Sequence, residues 1–413
     1  MIPFFVAIVA AQQPLLLHEP VATPVESPEV TALIEPTSGY DDGFFLRSED
    51  GANELIIEGL FQVLFGLYSR DREPSSDVEL KRFRPEFGGR LARVLRFKLE
   101  TKFTENEVEL EEAWVGVELC GGNSLLRVGR YKGTFGLEEL RSRRNIDFPF
   151  FSILNQFSPA EDHGVFLEGM NESGFYEYGL GAYNGTGASD TTSSKDLSAR
   201  LMVHPFAGQP SRGELQLGLA ATIGSQQQAI GGNFIEGGAG LDLVQFSPGV
   251  MLAGQRLRVG FEGAWFHGPW FCQGELLHVS EELSLPGTKR AVAYDGGYLT
   301  LSRSLTGEVK SFRGVTPDQP HDFEQGHGRG AWTAALRYSQ LHLDPDLLRF
   351  GFAVPGQFTD RIETWSLALN WFPNRHVILR NALVWSDFAD RIALPDGGAD
   401  AELSFVTEVQ MHF

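Results

Sequence analysis

The sequence predicts an all-β fold: a transmembrane antiparallel β-barrel of about 16 strands, a size common among outer-membrane barrels. Three observations carry the prediction. From Glu54 to Phe413, apolar and polar residues alternate in successive runs, separated by clusters of Gly, Asn, Pro or Asp. A period of two gives a strand one apolar and one polar face. The polar faces carry charged residues in rows, as a water-filled interior requires. The chain also ends an alternating run on an aromatic residue, Phe413.

The elements follow in order. Met1–Ala11 reads MIPFFVAIVAA, an apolar run closing on small residues without a basic start, and is expected to be an incomplete signal peptide. Pro14, Pro20, Pro24, Pro28 and Pro36 mark residues 12–50 as a Pro-rich periplasmic linker, with the barrel over 51–413. Expected strands are 54–68, 80–88, 94–103, 108–119, 124–131, 163–169, 174–184, 196–204, 213–223, 256–267, 270–280, 293–305, 330–341, 363–373, 376–387 and 401–413.

The faces are legible within them. In 95–103, Leu95, Phe97, Leu99 and Phe103 oppose Arg96, Lys98, Glu100 and Lys102. In 403–413, Leu403, Phe405, Val409 and Met411 oppose Ser404, Glu408, Gln410 and His412. Tryptophans 114, 265, 270, 332, 365, 371 and 385 are placed near strand ends, at the headgroup level.

Connection lengths set the direction of the chain. With the first strand running outward, the inner turns are mostly short and the outer loops long, 132–162, 224–255, 281–292 and 342–362 among them. Two break the rule: 104–107 is a short outer loop and 306–329 a long inner connection. The Gly-rich stretch 231–240 is expected to be a mobile loop.

Composition narrows the function. The net charge of −20 argues against nucleic acid as a partner. Two cysteines, Cys120 and Cys272, exclude a disulfide scaffold and a four-thiolate metal site. No nucleophile elbow, P-loop or zinc-protease motif occurs, so neither an enzyme activity nor a cofactor or metal is expected. The distinctive feature is a basic concentration in an acidic chain: residues 81–144 hold 14 Lys and Arg against 10 Asp and Glu. Arg82, Arg84, Arg96, Lys98, Lys102, Arg141, Arg143 and Arg144 are the candidate pore-lining, anion-binding residues. Arginine forks match carboxylate and phosphate oxygens, and a narrow lumen strengthens the attraction.

Several blocks resemble a known family. Gly39-Tyr-Asp-Asp-Gly-Phe-Phe45, Leu126-Arg-Val-Gly-Arg-Tyr-Lys132 with Phe135-Gly-Leu-Glu-Glu-Leu140, Ser304-Leu-Thr-Gly-Glu308, and Gly330-Ala-Trp-Thr-Ala-Ala-Leu-Arg-Tyr-Ser339 are similar, in order, to blocks of the phosphate-selective porin O/P family. The resemblance implies a bacterial outer-membrane porin, usually a homotrimer, that passes phosphate or other small anions. It also implies that the third outer loop and one long inner connection fold into the lumen. Outer-membrane lipid would be the partner of the apolar face. Phe413 resembles the terminal aromatic read by the barrel assembly machinery. With 7 Lys against 27 Arg, a dense lysine funnel cannot be built, so high phosphate selectivity does not follow. The alternatives are a general or small-sugar porin, and, from another class, a secreted soluble all-β protein.

Overall fold

The structure, a computed structural model, describes residues 37–69, 76–187, 193–393 and 397–413. The expected signal peptide and most of the expected linker lie outside the described residues. Residues 37–50, the end of that linker, form a small hairpin instead: β1 (Ser38–Tyr40) pairs with β2 (Phe44–Arg47), which adds to the inner end of the first barrel strand.

All 16 expected strands are present, and they close into one antiparallel barrel. They are β3 (Glu54–Tyr68), β4 (Ser76–Leu91), β5 (Leu95–Phe103), β6 (Val108–Leu119), β7 (Ser124–Lys132), β8 (Glu161–Met170), β9 (Tyr176–Tyr183), β10 (Asp196–Val203) and β11 (Glu214–Ala229). After a short hairpin, β12 (Phe234–Glu236) and β13 (Asp242–Gln245), come β14 (Met251–His267), β15 (Trp270–Leu285), β16 (Thr288–Ser304), β17 (Ala331–Leu343), β18 (Arg361–Phe372), β19 (Val377–Ile392) and β20 (Ala399–His412). Two helical turns interrupt the connections, α1 (Leu137–Leu140) and α2 (Asp346–Arg349).

β20 closes the barrel on β3, with Ser404 opposite Tyr68 and His412 opposite Leu60. Closure leaves no edge of unpaired backbone groups in lipid, where each would cost several kcal/mol. Phe413 extends the seam: its N–H donates to the Gly59 carbonyl (3.1 Å) and its carbonyl accepts from the Gly59 N–H (2.8 Å). Its ring lies over Gly59, where a Cβ would collide with it, and meets Phe44 edge-on at 6.0 Å. Deleting Phe413 removes both hydrogen bonds, worth about 1 kcal/mol each, and the ring contact. The expected result is a lower yield of heat-modifiable barrel on refolding into vesicles; an unchanged yield would show that the seam closes without it.

The alternation sorts as the sequence predicts. Leu95, Leu99, Phe103, Leu403, Phe405, Val409 and Met411 are exposed on the outside, while Arg96, Glu100, Ser404, Glu408 and Gln410 are buried inside. Trp265, Trp270, Trp332 and Trp371 lie toward the inner ends of their strands, whereas Trp385 is at the middle of β19, opposite Trp365. Trp114 is a correction: it is 3% exposed and faces inward, its ring carrying the Arg127 guanidinium at 5.1 Å.

Two connections also differ from expectation. The loop expected at 281–292 is a two-residue turn, because β15 and β16 stay paired out to Leu285 and Thr288. β11 and β14 likewise pair as far as Ala229 and Met251, so the loop expected at 224–255 shortens to 230–250. The Gly-rich 231–240 within it is seated, not a free loop: β12 and β13 fold it inward, and Ala239 is 1% exposed against the inner wall. A Cβ on Gly238 would collide with Thr364, so only glycine lets the hairpin approach that closely. Buried Leu243, Val244, Leu283, Phe352 and Ile392 join this hairpin, the 344–360 loop and the wall into the largest apolar core. That core fills one side of the outer mouth.

Candidate functional site: the lumen and its constriction

The third outer connection, 133–160, runs inside the barrel and is held by side chains from the wall opposite β3–β10. The Glu275 carboxylate accepts from the Leu137 and Glu138 N–H groups (2.9 and 2.7 Å), which open α1. Arg337 sits 3.0 Å from Glu138 and donates to the Phe150 and Phe151 carbonyls at 2.9 and 3.0 Å. Arg380 donates to the Ile146 and Arg144 carbonyls at 2.9 and 2.5 Å and pairs with Glu408. Asn370 donates to the Asp147 carbonyl at 2.9 Å. From the inner side, the long 305–330 connection sends Lys310 to Asp147 (2.5 Å) and Phe312 onto Phe266 and Phe271. Both connections expected to enter the lumen therefore do so, and they touch each other there.

Two cavities open beside the loop, the inner one against β3–β11. The inner one, about 310 Å³, is lined by seven basic side chains (Arg84, Lys98, Lys132, Arg141, Arg143, Arg144, Arg200) and six carboxylates (Glu58, Glu86, Glu100, Glu112, Glu168, Glu177). The outer one, about 250 Å³, carries Lys81, Arg82 and Arg143 against Glu236. Arg143 lines both and marks the passage between them.

Two β-bulges set this charge pattern. β3 and β4 slip register between Gln62 opposite Arg82 and Val63 opposite Leu80, leaving Lys81 as the extra residue. Lys81 and Arg82 can then both face the lumen, which strict alternation forbids. β5 and β6 slip between Glu100 opposite Glu112 and Thr101 opposite Leu110, leaving Glu111 extra, so Glu111 and Glu112 are both buried inside.

The second bulge supplies the acids that hold most of the expected basic wall. Arg84 lies 2.6 Å from Glu100 and 2.7 Å from Glu111. Lys98 is ringed by Glu100 (2.8 Å), Glu86 (3.2 Å) and Glu112 (3.5 Å). Lys102 pairs with Glu109 and Glu111, and Arg96 with Glu118. Arg141 lines the inner cavity but donates to Gln273 and the Asn145 carbonyl, its guanidinium about 5 Å from the Phe271 and Phe312 rings. Arg144 is 3.6 Å from Glu58.

Arg143 pairs with Glu139 at 3.7 Å and lies over the Phe151 ring at 4.2 Å. Arg82 has no carboxylate within ion-pair distance among the described residues, and its Nε is buried without a hydrogen-bond partner. Sequence reasoning missed Lys81, because a bulge breaks the period on which faces are read. It also missed Lys310, Arg337 and Arg380, the cations that hold the inner loop. They stand far from the basic concentration; for Arg337 and Arg380 the available signal was a lone cation on the inward face of its strand, while Lys310 lies in a connection. No cluster of His, Cys, Asp or Glu able to hold a metal occurs among the described residues.

A family model described as phosphate-selective porin O and P matches residues 61–392. Porin O of Pseudomonas aeruginosa is 28% identical over 158 residues, 37% of this chain and 34% of that protein, so the match spans about a third of the relative's length. An uncharacterized protein of Caulobacter vibrioides is 23% identical over 353 residues, 80% of this chain and 67% of that protein. Among solved structures, an anion-selective porin from Comamonas acidovorans superposes with a TM-score of 0.55 at 12% identity, covering 87% of this chain and 100% of that one. The outer-membrane channel DcaP of Acinetobacter baumannii gives 0.54 at 10% identity, covering 89% and 99%. The trimer form of the outer-membrane protein OmpT of Vibrio cholerae gives 0.52 at 10% identity, covering 88% and 100%. At these identities the likeness is one of fold.

Proposed function

The chain belongs to the phosphate-selective porin O and P family, and from that premise we propose that it is an outer-membrane porin through which small anions, phosphate among them, diffuse down their gradients. Its place is the bacterial outer membrane. It is a passive channel and not an enzyme. A homotrimer is the assembly that goes with this reading. Lipid covers the exposed Leu, Phe and Trp belt, and the terminal Phe413 is the signal for the barrel assembly machinery.

One observation carries the anion preference. In a lumen where most cations have a carboxylate or a carbonyl partner, Arg82 has neither among the described residues and stands beside Arg143, which lines both cavities. The chain's total of −20 does not oppose this. Charges on rim and loops are screened beyond ~8–10 Å, whereas an ion in the passage lies within a few ångströms of both arginines. At such distances a unit charge is worth ~1 kcal/mol in bulk water and several times that in a poorly hydrated lumen.

The test is the reversal potential of purified protein in a planar bilayer under a KCl gradient. Wild type should favour chloride. The double variant Arg82→Gln, Arg143→Gln should lower the chloride-to-potassium permeability ratio about tenfold, the equivalent of ~1.4 kcal/mol. Arg391→Gln, at the outer rim, should change it far less. A general porin is the second reading, favoured by the near balance of charge in the inner cavity. It requires a wild-type reversal potential near zero and no response to the double variant.

A further inference from the structure

The outer cavity is more than a basic passage. Its cations share a slot with one apolar side and one bare side, the rest of the lining being polar side chains such as Gln62 and Asn155. Phe150, Phe151, Ile146 and Ile153 of the inward loop line one side. Facing them are Gly237, Gly238 and Gly240 of the folded-in hairpin, which contribute backbone and no side chain. The slot is fixed on both faces. Gly238 is pressed on Thr364. Gln156 ties the hairpin to the loop, donating to the Glu236 carbonyl (3.1 Å) and accepting from the Glu236 N–H (3.0 Å). A compact hydrated anion would use the arginines and leave the ring faces unused.

We propose that this cavity takes organic anions in which a carboxylate is joined to a flat aromatic body, and that the channel holds them in preference to compact carboxylates of equal charge. The inference rests on the anion-channel reading above and names a substrate class for the same lumen. The carboxylate lies on the fork of Arg82, where two parallel N–H donors match its two oxygens. Arg143, already over the Phe151 ring at 4.2 Å, offers its N–H groups to the anion and extends the stacking surface. The aromatic body lies between Phe150 or Phe151 and the glycine backbone. A volume of about 250 Å³ is just below the ~300–1,000 Å³ usual for small-molecule clefts, which suits one ring.

Block of the chloride current through the full-length protein tests this, with benzoate, acetate and inorganic phosphate compared at equal ionic strength. Benzoate should half-block at a concentration at least fivefold below acetate. Phe151→Ala should narrow that gap, Phe151→Tyr should keep it, and Arg82→Gln should weaken benzoate and acetate together. Should Phe151→Ala not fold, Phe150→Ala tests the same face. Equal half-block by benzoate and acetate in a wild-type channel that prefers chloride would overturn the aromatic proposal and leave the anion channel standing. A wild type without chloride preference, read from the reversal potential alone, would overturn the channel reading and this proposal with it.

Discussion

Replacing Arg337 with alanine should raise single-channel conductance, broaden its distribution and destabilise the folded barrel by about 3–5 kcal/mol, the range for breaking a buried ion pair. Arg337 is 3% exposed and holds three groups of the inward loop at once: the Glu138 carboxylate, the Phe150 carbonyl and the Phe151 carbonyl. Its guanidinium also covers the Phe148 ring at 4.4 Å. Alanine leaves Glu138, itself 5% exposed, with the Ser152 N–H as its remaining donor. It also frees the two carbonyls that place Phe150 and Phe151 beside the outer cavity. The loop is the partition that makes the lumen narrow, so loosening it widens the bore. Arg337→Lys keeps the charge but not the fork and should fall between the two. The measurements are conductance histograms in planar bilayers and denaturant unfolding of the folded barrel. A conductance equal to wild type would mean that Arg380 and Lys310 suffice to hold the loop.

The reason this arginine went unread in the sequence is physical. Strand faces were legible because period two is a local property: Leu99 faces out and Lys98 in whatever their neighbours do. All 16 strands followed from it, and two-residue turns such as 268–269 made their neighbours antiparallel. Partner choice is not local. Arg84 meets Glu111 rather than Glu86 because a bulge 27 residues away in sequence rotates one acid inward. Lys81 points inward for the same kind of reason. A density of basic residues in 81–144 therefore located one wall of the lumen but not which cations remain unpaired. Outer loops shorten where strands run past the membrane: Pro286-Gly287 makes a tight turn, and cross-strand pairing continues through Glu281 opposite Val292 and Leu283 opposite Arg290.

Leu99→Arg should destabilise the barrel by ~2–4 kcal/mol, whereas Lys98→Arg, one residue away, should cost little. The two positions differ only in which solvent they meet. Leu99 stands at the centre of β5, 45% exposed on the outer surface, level with Phe87 on β4 and Ala113 on β6. An arginine there enters hydrocarbon, and the quoted penalty is that measured for Arg or Lys near the midplane on the lipid face of such barrels; it falls to ~0–1 kcal/mol at the interfaces. Lys98 points the other way, into a ring of three carboxylates. An arginine at 98 keeps the charge that Glu86, Glu100 and Glu112 require, so the buried acids stay neutralised. Urea titration of folding into phospholipid vesicles separates the cases, because only there is the outer face in contact with lipid; the same pair in a short-chain detergent should differ less. Equal cost at both positions would mean that β5 is rotated by one residue. That slip would invert every face on the strand and carry Arg96 and Lys98 out of the lumen altogether.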